Sequence, residues 1–183
     1  MSKEEIAVIL DFLPYGYPLE KKMMPLAQAV GKEHFTLLQL VPRRGFKFEV
    51  GTEVYIGEGK REEVQYILGR CPGEKLTETS KQELESFVEK KVIEQPEKYV
   101  QFFNEAQAIN TRLHQFELLP GFGKKHTQAI LDAREEKPFE SLEDVKERVA
   151  NMPDPAKTVT KRIEILTKYK EVEVIKTDKK RLT

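Results

Sequence analysis

The hydrophobic pattern of this chain changes near residue 77, and the change limits the fold more than any other feature of the sequence. Before residue 77, short apolar segments alternate with glycine and proline at a spacing of roughly ten residues, which is typical of short strands. After it, apolar residues recur at steps of three and four, the period of an amphipathic helix. The sequence therefore predicts an α+β fold, with a strand-rich region followed by an all-α region.

The strand-rich region has the pattern of a small β-barrel. Val64, Tyr66 and Leu68 lie at the period of two that favours a strand. No segment here is long enough for the helical crossover that parallel strands need, which favours a barrel of short strands. One helical turn is expected at 25–30. Strands are expected at 6–13, 35–41, 46–50, 53–56 and 64–68.

Helices fill the region after residue 77. A capping box at Ser80–Glu83 opens the first, and Pro96 suits the first position of the second, which carries an apolar stripe from Tyr99 to Phe116. Further helices are expected at 124–136, after Ser141, and after Asp154–Pro155, where Ala156, Val159, Ile163 and Leu166 form the buried face. The predicted segments are a β-barrel at 1–77, a connecting helix at 78–98, a helical domain at 99–168, and a basic C-terminal tail at 169–183 with a short strand at 172–175.

Charge and composition exclude several classes of protein. The 183 residues carry 31 Lys and Arg against 31 Asp and Glu, so the net charge is zero and a polycation that coats nucleic acid is excluded. The apolar run from Ile6 to Leu10 is far shorter than the ~18 residues of a membrane span, and Glu4 and Glu5 stand where a signal peptide is basic. Cys71 is the one cysteine, so we expect no internal disulfide and a cytoplasmic location.

A phosphate-binding turn is predicted at Pro120-Gly121-Phe122-Gly123, between two amphipathic segments. Its two glycines permit a tight turn, which leaves free N–H groups at the start of the following helix. Lysines follow at once and supply positive charge. The residues expected to contact a nucleic acid here are Gly121, Gly123, Lys124, Lys125, His126 and Arg134.

This segment resembles the helix-hairpin-helix motif, in which an apolar-Pro-Gly-apolar-Gly sequence precedes a small residue and an isoleucine. The match runs from Phe116 to Arg134 and places Ile130 at the isoleucine position. Thr127 stands where the family usually has alanine. The resemblance implies a grip on the phosphate backbone that does not depend on base sequence.

A degraded second copy of the motif follows 33 residues later, with Pro120 falling on Pro153. The two glycines are lost, and Asp154 takes the position of Gly121. A carboxylate there would cap the helix itself and repel phosphate, while Pro155 removes an N–H group. We expect this copy, which includes Lys157 and Ile163, to have a structural role.

Two basic groups interleave with aromatic residues in the barrel region. Such a pattern suits single-stranded nucleic acid, whose bases stack on aromatic rings while cations hold the backbone. The alternative, solvated loops around an aromatic core, carries equal weight. One basic group is Arg43, Arg44 and Lys47, and the other is Lys60, Arg61 and Arg70; the aromatic residues are Phe46, Phe48, Tyr55 and Tyr66.

The sequence argues against catalysis, a metal and a cofactor. Some helix-hairpin-helix proteins are DNA glycosylases with a catalytic aspartate after the hairpin, but Asp144 lies in the first turn of a helix, where the dipole favours an acid. His34, His114, His126 and Cys71 are too scattered to bind zinc. We therefore expect a protein that is not an enzyme.

Three segments together resemble the archaeal family catalogued as domain of unknown function 655. They are Asp11–Pro18, Tyr55–Arg61 and the hairpin at 118–125. The resemblance implies an OB-like barrel followed by a paired helix-hairpin-helix domain, and a partner that is RNA or DNA. Two other classes stay open: a protein–protein adaptor in translation or ribosome assembly, and a DNA-repair enzyme. The residues favour neither RNA nor DNA.

Overall fold

The computed structural model describes residues 3–169 and divides into two compact units. One unit is formed by the chain up to Leu84 and from Ile165, and the other spans Glu85–Glu164. The predicted strand at 172–175 and almost all of the predicted tail at 169–183 lie outside the described residues. No helix within residues 3–169 is both long and apolar enough to cross a membrane.

The first unit contains a curled, five-stranded antiparallel sheet. Its strand order is β4-β1-β2-β3-β5, so β4 and β5 lie at opposite edges, and the sheet curls into a half-barrel. β1 shifts register between Ile9 and Asp11, which marks a bulge. The strands are β1 Ile6–Leu13, β2 Leu26–Gly31, β3 Leu37–Pro42, β4 Glu53–Tyr55 and β5 Val64–Arg70.

β2 lies where a helical turn was expected at 25–30, and this expectation is wrong. All six residues of Leu26–Gly31 are buried. A strand that is buried on both faces lacks the alternation of polar and apolar residues by which strands are identified, so its sequence reads as an ambiguous apolar run. Ala27 and Ala29 face the inner core of the sheet, while Gln28 pairs with groups on the other side.

The segment 46–50 is not a strand. Arg43 to Phe46 form a turn that is closed by the Phe46 N–H and the Arg43 carbonyl at 2.9 Å, with Gly45 at a φ of 81°. Phe48 then reaches into the core. The core on the inner face of the sheet is formed by Ala7, Ile9, Ala27, Ala29, Leu38, Leu40, Phe48, Val54, Ile56 and Val64.

Five α-helices lie within the described residues: α1 Glu78–Glu94, α2 Pro96–Glu105, α3 Lys124–Glu136, α4 Leu142–Arg148 and α5 Pro155–Tyr169. The bounds of α3, the cap at Ser141 and the start of α5 after Asp154 confirm the sequence analysis. The cap of α1 is Thr77, not Ser80, because the Thr77 hydroxyl oxygen accepts the Ser80 N–H at 3.1 Å.

The apolar stripe from Tyr99 to Phe116 does not form one helix, contrary to expectation. α2 ends at Glu105, and Ala108 and His114 form an isolated antiparallel bridge before a short 3-10 helix at Gln115–Leu118. In the turn that follows, the Asn110 side-chain oxygen accepts the N–H groups of Arg112 and Leu113 at 2.8 and 3.0 Å. These local bonds give the backbone an alternative to the helix.

Candidate functional site

The first turn, residues 119–123, joins the short 3-10 helix to α3. The Phe122 N–H donates to the Leu119 carbonyl at 3.1 Å, and Gly121 has a φ of 83°. Proline followed by a positive-φ residue at the two central positions is the sequence preference of a type II turn. Gly121 is therefore required by its backbone conformation.

Gly123 plays a different part in the same turn, as the N-cap residue of α3. Its φ is −118°, which any residue adopts, and a Cβ added there meets no atom within 4 Å. The Thr127 N–H and hydroxyl both donate to the Gly123 carbonyl, at 3.0 and 3.1 Å. Glycine at this position leaves open space beside the helix start and is not needed to relieve backbone strain.

The start of α3 presents unpaired backbone donors to solvent. Within residues 3–169, the backbone N–H groups of Lys124 and Lys125 have no hydrogen-bond acceptor. Both side chains are exposed and form no ion pair with any described residue. The positive end of the helix dipole thus lies beside two exposed lysines, an arrangement that suits an anion.

His126 is held by contacts inside the second unit. Its Nδ1 accepts the Gly123 N–H at 3.3 Å, and its Nε2 lies 3.2 Å from the Asn151 carbonyl oxygen. A ring with its proton on Nε2 and a free lone pair on Nδ1 can make both contacts. The ring also packs on Phe122, with centroids 5.5 Å apart. His126 therefore links the first turn to the segment at Asn151.

Arg134, the other residue expected to contact phosphate, is also held internally. Its Nη1 donates to the carbonyls of Ala106 and Phe103, at 2.8 and 3.3 Å. The guanidinium lies 5.8 Å from the centroid of the Phe116 ring, and burial lowers the pKa of Arg134. It satisfies carbonyl groups at the end of α2, where a cation is favoured by the dipole.

The second turn, residues 150–154, is closed by its own carboxylate. Asp154 Oδ1 accepts the Lys157 N–H at 3.1 Å, and Oδ2 lies 3.4 Å from Lys146 Nζ. Burial acts to raise the pKa of Asp154, but the N–H of Lys157 and the ammonium of Lys146 outweigh it, so the pKa is lowered. The start of α5 is thus capped by a charged side chain, as the sequence predicts.

The two turns differ in length as well as in charge. α3 begins four residues after Pro120, whereas α5 begins two residues after Pro153. The first turn also lies against the second, because a Cβ on Gly121 would stand 3.5 Å from Pro153 Cγ. The second copy therefore supports the first and has no open helix end of its own.

The two basic groups of the first unit meet at Arg43 and Arg61. Arg43 Nε donates to the Arg61 carbonyl at 2.7 Å, and Arg61 Nε donates to the Gly57 carbonyl at 2.8 Å. Phe46 stands beside them, 37% exposed, and packs edge-on against the buried Phe48 at 5.3 Å between centroids. The remaining basic residues of the two groups, Arg44, Lys47, Lys60 and Arg70, are exposed.

The segment Tyr55–Arg61 has a packing reason for its glycines. The Tyr55 ring folds back over the turn, and its hydroxyl accepts the Gly59 N–H at 3.1 Å. A Cβ on Gly57 would lie 2.4 Å from that hydroxyl oxygen, so a larger residue there would displace the Tyr55 ring.

A buried polar cluster explains the Asp11–Pro18 segment, and sequence analysis missed it. The Tyr17 hydroxyl accepts from Gln28 Nε2 at 3.1 Å and donates to Gln39 Oε1 at 3.0 Å. Gln28 Oε1 accepts the Ser80 hydroxyl, and Asp11 accepts the Thr77 hydroxyl, both at 2.6 Å. The only signal in the sequence was a glutamine inside each of two apolar strands.

Asp144 is occupied by structural contacts. Its carboxylate accepts the Glu140 N–H at 3.0 Å and an Arg148 N–H at 3.2 Å, and the bond from Glu140 is the main cause of its lowered pKa. Arg148 in turn donates to the carbonyls of Ala133 and Lys137 at the end of α3. Among residues 3–169, no three His, Cys, Asp or Glu side chains form a metal-binding group.

Comparison with known proteins places the chain among archaeal relatives of unknown function. The uncharacterised protein MJ0038 of Methanocaldococcus jannaschii is 42% identical over 161 residues, which cover 88% of this chain and 73% of that protein. The crystal structure of Af1531 from Archaeoglobus fulgidus is 43% identical with a TM-score of 0.78, and the match covers 92% of this chain and 96% of that one. A family model matches residues 3–177 and is described as Protein of unknown function (DUF655), so the chain belongs to that family.

Proposed function

We propose that the protein binds nucleic acid without catalysing a reaction and without reading base sequence. The observation that carries the proposal is the difference between two copies of one turn in the same unit. The first copy has unpaired N–H groups and two lysines at an open helix end, and the second has Asp154 over its helix end. A phosphate is attracted to the first and repelled by the second.

The helical unit would act as a helix-hairpin-helix domain whose second hairpin is degenerate. Phosphate would accept from the backbone N–H groups of Lys124 and Lys125 in the space that Gly123 leaves open. The lysine side chains would contribute one contact each to the backbone of a duplex or a folded RNA. His126 and Arg134 would hold the turn in shape and would not touch the ligand.

The sheet would act as an OB-like surface for a single strand or an RNA loop. Arg43, Arg44, Lys47, Lys60 and Arg61 supply positive charge around the half-exposed Phe46 ring, on which a base can stack. The bond between Arg43 and the Arg61 carbonyl supports this proposal, since it joins two groups that lie far apart in the sequence.

Binding across a salt series tests the helical site. We expect Lys124→Ala with Lys125→Ala to weaken duplex binding and to reduce the slope of log K against log salt by about one to two units, roughly one for each lost phosphate contact. The matched control is Lys157→Ala, an exposed lysine at the same position of the degenerate copy, which should change the slope by much less. Equal losses in the two variants would contradict the assignment.

The same measurements on single-stranded RNA and DNA test the sheet. Replacing Arg43, Arg44 and Lys47 with alanine should weaken single-strand binding and leave duplex binding by the helical unit in place. Unchanged affinity would remove the sheet from the proposal. The reaction mixtures should also contain no cleaved or deglycosylated product, and product that disappears in Asp144→Asn would favour the repair-enzyme alternative.

A further inference from the structure

The 14–25 loop, which joins β1 to β2, exposes three large apolar side chains. Leu19 is 99% exposed, Met23 79% and Tyr15 71%. Single exposed apolar residues are ordinary on a protein surface, but several on one loop mark a site of interaction. The nucleic-acid site proposed above does not use them.

The loop is anchored although its tip is exposed. The Tyr17 hydroxyl lies inside the buried polar cluster, and the Tyr17 ring has Lys75 Nζ 4.9 Å from its centroid. Lys75 Nζ also pairs with Glu20 at 2.7 Å. Further along, the Tyr66 hydroxyl donates to Met24 Sδ at 3.4 Å. The loop is therefore preorganised, and a partner that binds it has little conformational entropy to remove.

Glycine at position 16 keeps the two arms of the loop together. Gly16 has a φ of 76°, and a Cβ there would lie 2.8 Å from the Met24 carbonyl oxygen. The arms thus touch at Gly16 and Met24, so Leu19 stands at the tip of a closed loop and not on a loose strand of chain.

The border of the apolar tip is positively charged. Lys21 and Lys22 are exposed and have no acidic partner among residues 3–169, whereas the charge of Glu20 is neutralised by Lys75. We propose that the 14–25 loop is a docking site for a protein partner, which receives Leu19 in an apolar pocket bordered by carboxylates. Apolar contact at the centre with charge complementarity at the rim is the usual anatomy of a specific protein interface.

The side chains favour a protein over a nucleic acid or a bilayer. Leu19 and Met23, the two most exposed of the three, have no ring to stack on bases and form no hydrogen bonds with base edges, so Tyr15 is the one aromatic ring that the tip offers. A lipid-binding surface typically carries a cluster of about four to eight basic residues, and this tip has Lys21 and Lys22. An anchored loop with one fully exposed leucine instead fits a preformed pocket.

Site-specific photo-crosslinking in an archaeal cell tests the proposal on the full chain. Leu19 is replaced with p-benzoylphenylalanine, and adducts are compared before and after treatment with nuclease and after lipid extraction. We expect one main protein adduct that survives both treatments. The control carries the same probe at Ile93, an exposed aliphatic residue of α1, and should not form that adduct. An adduct of nucleic acid or lipid, or none beyond the control, would overturn the proposal.

The captured protein should then bind through Leu19 and through the positive charge of Lys21 and Lys22. Purified and mixed with the full chain, it should bind Leu19→Asp at least tenfold more weakly, while Ile93→Asp binds as the wild type does. Lys21→Glu with Lys22→Glu should also weaken binding about tenfold, and the loss should shrink in high salt. The variants at Leu19, Lys21 and Lys22 should keep the wild-type melting temperature, since these side chains are exposed, whereas Ile93→Asp should lower it slightly because an acid is unfavourable in the last turn of α1. Wild-type affinity in Leu19→Asp would refute the docking site.

Discussion

Gly121 and Gly123 look equivalent in the sequence, yet they meet different physical demands. At Gly121 the backbone lies in the left-handed region, with a φ of 83°, where an L side chain is strained. At Gly123 the backbone is ordinary and the space beside it is open. Gly121 is therefore needed for the turn to form, whereas Gly123 keeps the space beside the start of α3 open.

Alanine at each position should separate these two demands. We expect Gly121→Ala to lower the free energy of unfolding by about 1–2 kcal/mol because of its positive φ. In Gly123→Ala, the poor N-cap preference of alanine and the lower entropy of its unfolded chain oppose each other, so stability should change by less than about 1 kcal/mol. Its methyl group should instead weaken nucleic-acid binding. Urea unfolding and fluorescence anisotropy measure the two effects, and equal stability losses would contradict this reading.

At the scale of elements, the polar cluster around Tyr17 holds the 14–25 loop on the sheet. Every hydrogen-bonding atom of the Gln28 side chain is used, because its Nε2 also donates to the Lys75 carbonyl at 2.7 Å and its Oε1 accepts the Thr77 N–H at 3.0 Å. A fully satisfied network of this kind specifies one arrangement, since any alternative leaves a buried polar group unpaired.

The high pKa of Tyr17 predicts a loss of stability in alkali. Burial raises the pKa of Tyr17 to about 12, whereas an unfolded tyrosine titrates near 10. Between these values the unfolded chain releases the proton and the folded chain keeps it, so stability is complete below pH ~10 and falls as the pH rises to ~12. Melting temperatures measured across this range should fall less steeply for Tyr17→Phe. That variant should also be less stable at neutral pH, because Gln39 loses its donor.

The elements that the sequence predicts well are those with local signals. α3 has a glycine before its first residue and α4 has Ser141 as a side-chain cap, so the starts of both helices can be predicted from the sequence. β2 has no such signal, because burial on both faces removes its alternation of polar residues. The end of α2 at Glu105 is hidden by the apolar stripe, which continues past it, and the local bonds of Asn110 in the turn that follows are not part of the hydrophobic pattern. The hydrogen bond from Arg43 to the Arg61 carbonyl depends on the pairing of β3 with β5, and no local sequence pattern predicts that pairing.

At the scale of the whole molecule, two helices, α1 and α5, are each divided between the two units. α1 begins in the unit that holds the sheet and continues past Leu84 into the other, and α5 passes from one to the other before Ile165. The change of pattern at residue 77 is therefore not the edge of a compact unit. Ser80, three residues later, donates to Gln28 in the sheet.

The stability of fragments should reflect this division of α1 and α5 between the units. We expect residues 1–77 alone to lack a cooperative unfolding transition, because they omit Ser80, Leu84 and the segment from Ile165. Residues 85–164 should retain one, since they contain a unit of their own. Thermal unfolding followed by circular dichroism makes the comparison. A fragment of residues 1–77 that melts cooperatively at the temperature of the full chain would show that the sheet needs no helix.

The burial of Cys71 has a practical consequence for labelling chemistry. It is the one thiol in the chain, it is buried, and burial raises its pKa, so little reactive thiolate forms at neutral pH. Towards maleimide reagents the folded protein behaves as though it had no cysteine. A cysteine introduced on an exposed loop would then accept a single fluorophore without any change to the native thiol.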